Sequence, residues 1–206
     1  MTMDRGAWED RWSQALREHG DRIATMPPNA MLRGVATELR PARALDAGCG
    51  HGAETLWLAA RGWTVTAVDF AAAALAHARS TAETLGTDIA DRVEWVEADL
   101  TTWTPRPEYY DLVACLYLHV AGSVPETVQR LATGVAPGGT LLLVGHRPID
   151  PATGATTPAA GQVQVSVDEA VAALDASRWT FDIAEDRPRA AAGTGVDAVI
   201  CARRRR

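Results

Sequence analysis

Lysine is missing from this chain of 206 residues: all 20 basic side chains are arginine. That excludes Schiff-base catalysis, the lysine of a phosphate-binding P-loop and the Tyr-x-x-x-Lys pair of short-chain dehydrogenases. No apolar run approaches the ~20 residues of a membrane span, and residues 1–10 lack the apolar stretch of a secretory signal. Cysteine is scarce: Cys49, Cys115 and Cys201 are scattered, with no Cys-x-x-Cys spacing. The expectation is reduced thiols in the cytoplasm, no metal site, and Cys49 and Cys115 as small buried fillers. Positive charge is not in excess either. A net charge of −6 argues against a nonspecific nucleic-acid binder. The closing run Arg203–Arg206 is read as a solvated end after the last strand.

What remains reads as one ordinary globular domain, large enough to bury roughly 70% of its unfolded surface. The first forty residues form a helical arm. Trp8, Trp12, Ala15, Leu16, His19 and Ile23 recur at helical spacing, Pro27-Pro28 breaks that helix, and Met31–Leu39 forms a second. From residue 41 to 204 strands and helices alternate. Strands are expected at 43–47, 64–68, 93–97, 111–116 and 140–144, with helices at 53–60, 71–85 and from the capping box Ser123-Val-Pro-Glu126 onward. Residues 147–164 form a long Pro/Gly/Thr-rich loop, a candidate lid. A second box at Ser166 opens a helix through Leu174, and two strands follow, with Trp179, Phe181 and Ile183 alternating in one and Val196, Ala198 and Ile200 in the other. Five βα units followed by two strands make an α/β fold with a doubly wound parallel sheet.

Asp46-Ala-Gly-Cys-Gly-His-Gly52 sits at the turn from the first strand into a helix. Gly48, Gly50 and Gly52 let the backbone approach a nucleoside where a Cβ would clash. A dinucleotide also satisfies the relaxed glycine spacing. Three acids favour a cationic nucleoside instead. Asp46, two residues before the first glycine, repels a pyrophosphate and welcomes a sulfonium or ammonium group. Asp69 ends the second strand, where a carboxylate can accept from both ribose hydroxyls. Asp99 ends the third, placed to accept from an adenine amine while Leu100 packs the ring.

On these residues the chain resembles the class I S-adenosylmethionine-dependent methyltransferases. Val68-Asp69, Ala98-Asp99-Leu100, Asp111–Leu116 and Ala136-Pro-Gly-Gly-Thr-Leu-Leu142 match the later motifs in order. Within that family it looks most like the small bacterial branch labelled tellurite-resistance or thiopurine-type methyltransferase, through Trp8-Glu-Asp-Arg-Trp12 and Val144-Gly-His146. The resemblance implies a seven-stranded, mostly parallel sheet closed by a C-terminal antiparallel hairpin, with S-adenosylmethionine as cofactor. It implies that Asp46 orients the methionine amine, Gly48, Gly50 and Gly52 pack the donor, Asp69 holds the ribose and Asp99 the adenine. Phe70, Leu100 and Leu116 join this set as apolar contacts.

Methyl transfer to a small molecule is then the expected activity, with a thiol, oxyanion or phenol as nucleophile. A base is needed only for an acceptor that arrives protonated with a high pKa. His119, beside Tyr117 past the fourth strand, is the leading candidate, and a loop-capping histidine is the alternative. His146 is a second candidate, and the neighbouring Arg147 could pair with an anionic acceptor. Trp8 and Trp12 either cover the site or simply pack the arm. Leu116-Tyr-Leu-His-Val replaces the Asn/Asp-Pro-Pro-Tyr of enzymes that methylate amide or base nitrogens, so no nucleic-acid substrate is expected. The partner is a small-molecule acceptor, with no membrane, in a monomer or homodimer. The rivals are a nicotinamide-dependent oxidoreductase and a cofactor-binding sensor without turnover.

Overall fold

The computed structural model describes residues 5–119, 122–150, 152–157, 163–189 and 195–206. The chain divides into two compact units, one reaching to Trp103 and the other running from Thr104. In the first, helix α1 (Arg5–Ala24) is followed by α2 (Ala30–Thr37). The Oδ1 of Asn29 caps α2 by accepting from the Met31 and Leu32 amides. Then come β1 (Arg43–Ala47), α3 (Ala53–Ala59), β2 (Thr64–Asp69), α4 (Ala72–Leu85), α5 (Thr87–Ala90) and β3 (Val93–Glu97). The three strands lie parallel in the order β3-β2-β1, with Leu45 opposite Thr66 and Ala67 opposite Trp95.

The second unit holds β4 (Tyr110–Leu116), α6 (Val124–Thr133), β5 (Val135–His146), α7 (Val167–Ala173), β6 (Trp179–Pro188) and β7 (Val196–Arg204). Its order is β4-β5-β7-β6: β4 and β5 are parallel, and β7 runs antiparallel to both β5 and β6. The seven strands make a mostly parallel, doubly wound sheet with a C-terminal antiparallel hairpin. Among the described residues no helix is long and apolar enough to cross a membrane.

Four expectations are corrected. The stripe on α1 is interrupted at His19, where the helix kinks (φ −141°) and the ring is exposed, and it resumes at Ile23, which is buried. Residues 98–109 carry no helix, so β3 leads into β4 through turns rather than through a complete βα unit. The Pro137-Gly138-Gly139 turn lies inside β5, as an irregularity in its pairing with β4. The closing arginines are not simply a solvated end: β7 continues to Arg204, which is buried and donates to the Val135 carbonyl and to Glu108. Strand alternation turns Arg204 inward while Arg203 stays exposed and reaches Asp182.

Candidate functional site

The glycine loop is tied to β2. The Gly48 and Cys49 amides both donate to the Val68 carbonyl, at 2.8 and 3.1 Å, and the Gly50 amide donates to Asp69 Oδ2 at 2.8 Å. Gly48, Gly50 and Gly52 all have left-handed φ. Two of them are also confined: a Cβ on Gly50 would lie 2.9 Å from the Trp12 ring, and one on Gly52 would lie 2.9 Å from the Ala78 Cβ and 3.1 Å from Trp95. Helix α1 therefore lies against this loop. Its Trp12 also tilts onto His51 at 5.6 Å, and Glu9 accepts the Ala73 amide at the start of α4 at 3.0 Å. Trp8, one turn earlier, is half-buried, with the Arg11 guanidinium over its ring.

Gly52→Ala combines a strained backbone with a clash that neither α4 nor Trp95 can relieve by rotating a flexible tip. Left-handed strain and overpacking together should cost about 2–4 kcal/mol, read as a lowered urea midpoint.

Three carboxylates converge on the loop. Asp46 is buried, and its Oδ2 accepts from the Thr55 hydroxyl at 2.6 Å. Burial, with help from the charges of Glu54 and Asp69 and against the Thr55 bonds, pushes its carboxyl up to about 7. Asp69 is raised by burial, against hydrogen bonds from the Ala71, Gly50 and Phe70 amides. Glu54, in the first turn of α3, is also raised by burial while accepting from the Asn29 amide at 2.9 Å. Anions crowded out of water favour a cation among them.

Asp99 has a local task as well: its Oδ1 accepts from the amide and the hydroxyl of Thr101, forming an Asx turn at the end of β3. Leu100 behind it is buried, and Phe70 is half-buried. Thus Asp46, Gly48, Gly50, Gly52, Asp69, Phe70, Asp99 and Leu100 all lie in the first unit, at or just beyond the carboxyl ends of its three parallel strands.

The second unit brings together Tyr117 and His146. Tyr117 follows β4 with a left-handed φ of 55°, a strained setting for a side chain of this size. Its amide donates to the Val144 carbonyl at 2.7 Å, and its ring stacks on His146 with centroids 4.1 Å apart. Both side chains reach Asp197, the second residue of β7. The Tyr117 hydroxyl donates to Oδ2 at 2.9 Å, and His146 Nδ1 lies 2.9 Å from Oδ1. Arg189, just past β6, donates to the same carboxylate through Nη2 at 2.8 Å and Nε at 3.3 Å. Burial raises the Asp197 carboxyl, but the bonds from His146, Arg189 and Tyr117 outweigh it and hold it at about 2.

His119 stands apart from this cluster. Its Nε2 lies 3.5 Å from Gln164 Nε2, while Gln164 Oε1 accepts the His146 amide at 2.6 Å. Arg147 is engaged by Asp186, Nε to Oδ1 at 3.2 Å, close as an ion pair but not aligned as a hydrogen bond. Leu116 ends β4 half-buried, beside a small apolar cavity lined by Cys115, Leu118, Val128 and Val165. The described part of the 147–164 loop is folded on itself by a bridge between Ile149 and Thr156; residues 151 and 158–162 lie outside the described set. A cleft of about 410 Å³ lined by Glu108, Arg178 and Trp179 lies at the opposite end of the strands and holds none of the candidates.

Reasoning from sequence missed Asp197, Arg189, Gln164, Thr55 and Glu9. Only Asp197 carried a signal, as a lone acid opening an apolar strand.

Residues 44–139 match the family model described as a methyltransferase domain. Over that stretch, 96 of the 206 residues, the chain is similar to that family. A trans-aconitate 2-methyltransferase of Paracidovorax citrulli is 33% identical over 136 residues, 64% of this chain and 49% of that protein. A ubiquinone biosynthesis O-methyltransferase of Xanthomonas euvesicatoria is 32% identical over 138 residues, 66% of this chain and 56% of its own length. The chain thus spans about half the length of the curated relatives it matches. In fold it is similar to TehB from Haemophilus influenzae, at a TM-score of 0.72 and 18% identity over 93% of this chain and 66% of that one. The geranyl diphosphate C-methyltransferase of Streptomyces coelicolor, solved with S-adenosyl-L-homocysteine, gives a TM-score of 0.68 at 16% identity over 85% of this chain and 77% of that one.

S-adenosylmethionine is the cofactor of this domain, and the loop suits it. Three carboxyls around it, Asp46, Glu54 and Asp69, are all raised by burial, a setting that a positively charged ligand relieves. The domain match decides against a dinucleotide as the occupant of the glycine loop.

Proposed function

We propose that this chain transfers the methyl group of S-adenosylmethionine to a hydroxyl oxygen of a small molecule, a phenol or an enol. The observation that carries this reading is His146. Its ring is stacked on Tyr117 at the carboxyl end of β4 and β5, with Nδ1 engaged by Asp197. When bound, the cofactor supplies an electrophilic methyl carbon on a sulfonium, with a good leaving group.

The protein's own tasks are binding, alignment and proton removal. Asp46 and Glu54 offset the cofactor's positive charge, and Asp69 and Asp99 take its ribose and adenine. Trp12 and Trp8 on α1 cover the loop. His146 Nε2 accepts the hydroxyl proton as the oxygen attacks, and the Tyr117 ring flanks the acceptor. A carboxylate or an oxyanion arrives ionised and gives such a base nothing to do. The relatives' names point to oxygen as the methylated atom in the ubiquinone pathway enzyme, in line with this reading. His119 acts through Gln164 rather than on the acceptor, and Arg147 stays with Asp186. Tellurite-resistance kinship rests on Trp8, Trp12 and His146 with TehB as one neighbour in fold, and it is the weaker claim about substrate. The acceptor is small, no nucleic acid takes part, and the chain works as a monomer or homodimer.

Calorimetric titration with S-adenosylmethionine, followed by a screen of phenols, carboxylates and thiols as acceptors, tests the proposal. Turnover confined to carboxylates or thiols would refute the hydroxyl reading. Asp69→Ala should weaken cofactor binding by about 1.5–3 kcal/mol, the range for a lost hydrogen bond to a charged group. A wild-type dissociation constant in that variant removes Asp69 from the binding set.

A further inference from the structure

The contacts around His146 exceed what a base alone requires, and they come from the edge hairpin. Asp197 is 6% exposed at the start of β7. Both of its oxygens are taken: Oδ1 lies within 2.9 Å of His146 Nδ1 and 2.8 Å of Arg189 Nη2, while Oδ2 accepts from Tyr117 at 2.9 Å and from Arg189 Nε at 3.3 Å. Arg189 Nη2 also sits directly against His146 Nδ1. That contact leaves the imidazole two ways to bond. With its proton on Nδ1, the ring donates to Asp197, and the imidazole and the guanidinium converge on one carboxylate oxygen. With its proton on Nε2, Nδ1 accepts from Arg189, but its lone pair then faces a carboxylate oxygen at 2.9 Å. Lone pair against anion is repulsive with nothing to offset it, whereas two donors crowded together at 2.5 Å are both attracted to the carboxylate oxygen between them.

We propose that Asp197 and Arg189 are a positioning pair for methyl transfer: Asp197 holds His146 in the Nδ1–H tautomer, so that Nε2 is the base, and Arg189 clamps Asp197 in that pose. The proposal rests on His146 acting as the base. During transfer the acceptor's O–H proton passes to Nε2 as the oxygen–methyl bond forms and the sulfur–methyl bond breaks. The Nδ1 proton stays where it was, and the imidazolium so formed faces the Asp197 carboxylate. Arg189 and Asp197 thus touch neither acceptor nor cofactor. Strain at Tyr117 fits the same design, since its left-handed backbone is what brings the ring onto His146 and the hydroxyl onto Oδ2.

The test reads the tautomer directly, from ring-nitrogen correlation spectra of the ¹⁵N-labelled full chain at a pH where the ring is neutral. In the wild type Nδ1 should be the protonated nitrogen and Nε2 the bare one. In Asp197→Ala, Arg189 becomes the donor to Nδ1 and the proton should move to Nε2. A merely structural role for Asp197 does not move this signature. Nε2–H in the wild type overturns the proposal, as does an unchanged tautomer in a folded Asp197→Ala. Should Asp197→Ala not fold, the wild-type spectrum still decides.

With an acceptor in hand, Asp197→Ala should lower kcat about 10²–10⁴-fold, with KM near wild type and partial recovery in Asp197→Glu. Failure of the underlying reading looks different. There His146→Ala keeps full turnover while the wild-type tautomer remains Nδ1–H.

Discussion

The protein freed of cofactor should become less stable as pH rises from about 4 to about 7, and Asp46→Asn should abolish most of that loss. An Asp carboxyl in the unfolded chain titrates near 3.8, whereas burial and the neighbouring acids hold Asp46 at about 7 in the folded protein. Between those values the folded state binds the extra proton, so stability falls with rising pH and levels off above the folded value. Linkage puts the loss at roughly 4 kcal/mol for this group alone. Glu54 and Asp69, also raised by burial, act in the same direction. Asparagine keeps an oxygen for the Thr55 hydroxyl without the charge, so the variant should melt higher than the wild type above pH 7. Asp197 has the opposite sign: held at about 2, its contribution is present above the ordinary carboxylate range and is lost as pH falls toward 2.

Cofactor should reverse the first trend, because an ammonium or sulfonium among the acids favours the ionised form. Affinity for S-adenosylmethionine should therefore rise with pH up to about 7 and then level off. Binding below pH 7 should release protons, seen as a calorimetric heat that depends on the buffer's ionisation enthalpy. Stability curves that coincide for Asp46→Asn and wild type from pH 4 to 8 remove Asp46 as the titrating group.

That Asp46 is legible in the sequence follows from how local its setting is. Asp46 and the three glycines lie within the seven residues 46–52, and the turn from strand to helix that unites them is written in that stretch. Asp69 and Asp99 could be read because parallel strands place their carboxyl ends side by side at regular intervals. The hairpin is different. Asp197 joins His146 across 51 residues of sequence, and Arg189 reaches it from eight residues away. Alternation in β7 suggested Val196, Ala198 and Ile200 as the inward face, which would leave Asp197 outside. Yet β7 lies between β5 and β6 and is buried on both faces from Asp197 to Ala202. Where both faces are covered, a period of two carries no information about which side chain is buried. Arg204 was hidden differently: it stands in a run of four arginines that reads as a solvated end, whereas β7 continues through it. Gln164 was hidden for another reason: a loop residue bonding to a strand-end amide leaves no periodic mark at all.

His146→Ala should lower turnover of a phenolic acceptor about 10²–10⁴-fold, the range for losing a positioned base, while cofactor affinity stays within a factor of two or so of wild type. The size of the loss should depend on the acceptor. A phenol that is already ionised at neutral pH has no proton to give, so nitro-substituted phenols should lose little in the variant and unsubstituted ones most. Plotted against acceptor pKa, log kcat for His146→Ala should fall more steeply than for the wild type, because the variant leaves proton removal to water. A uniform loss across the series would instead assign His146 to packing against Tyr117, since lost stacking misplaces every acceptor alike. His119→Ala gives the contrast. Its bond to Gln164 leads to the His146 backbone amide rather than to the His146 ring, so its penalty should be smaller and the same for every phenol. The slope, more than the size of either loss, separates the side chain that takes the proton from those that hold it in place.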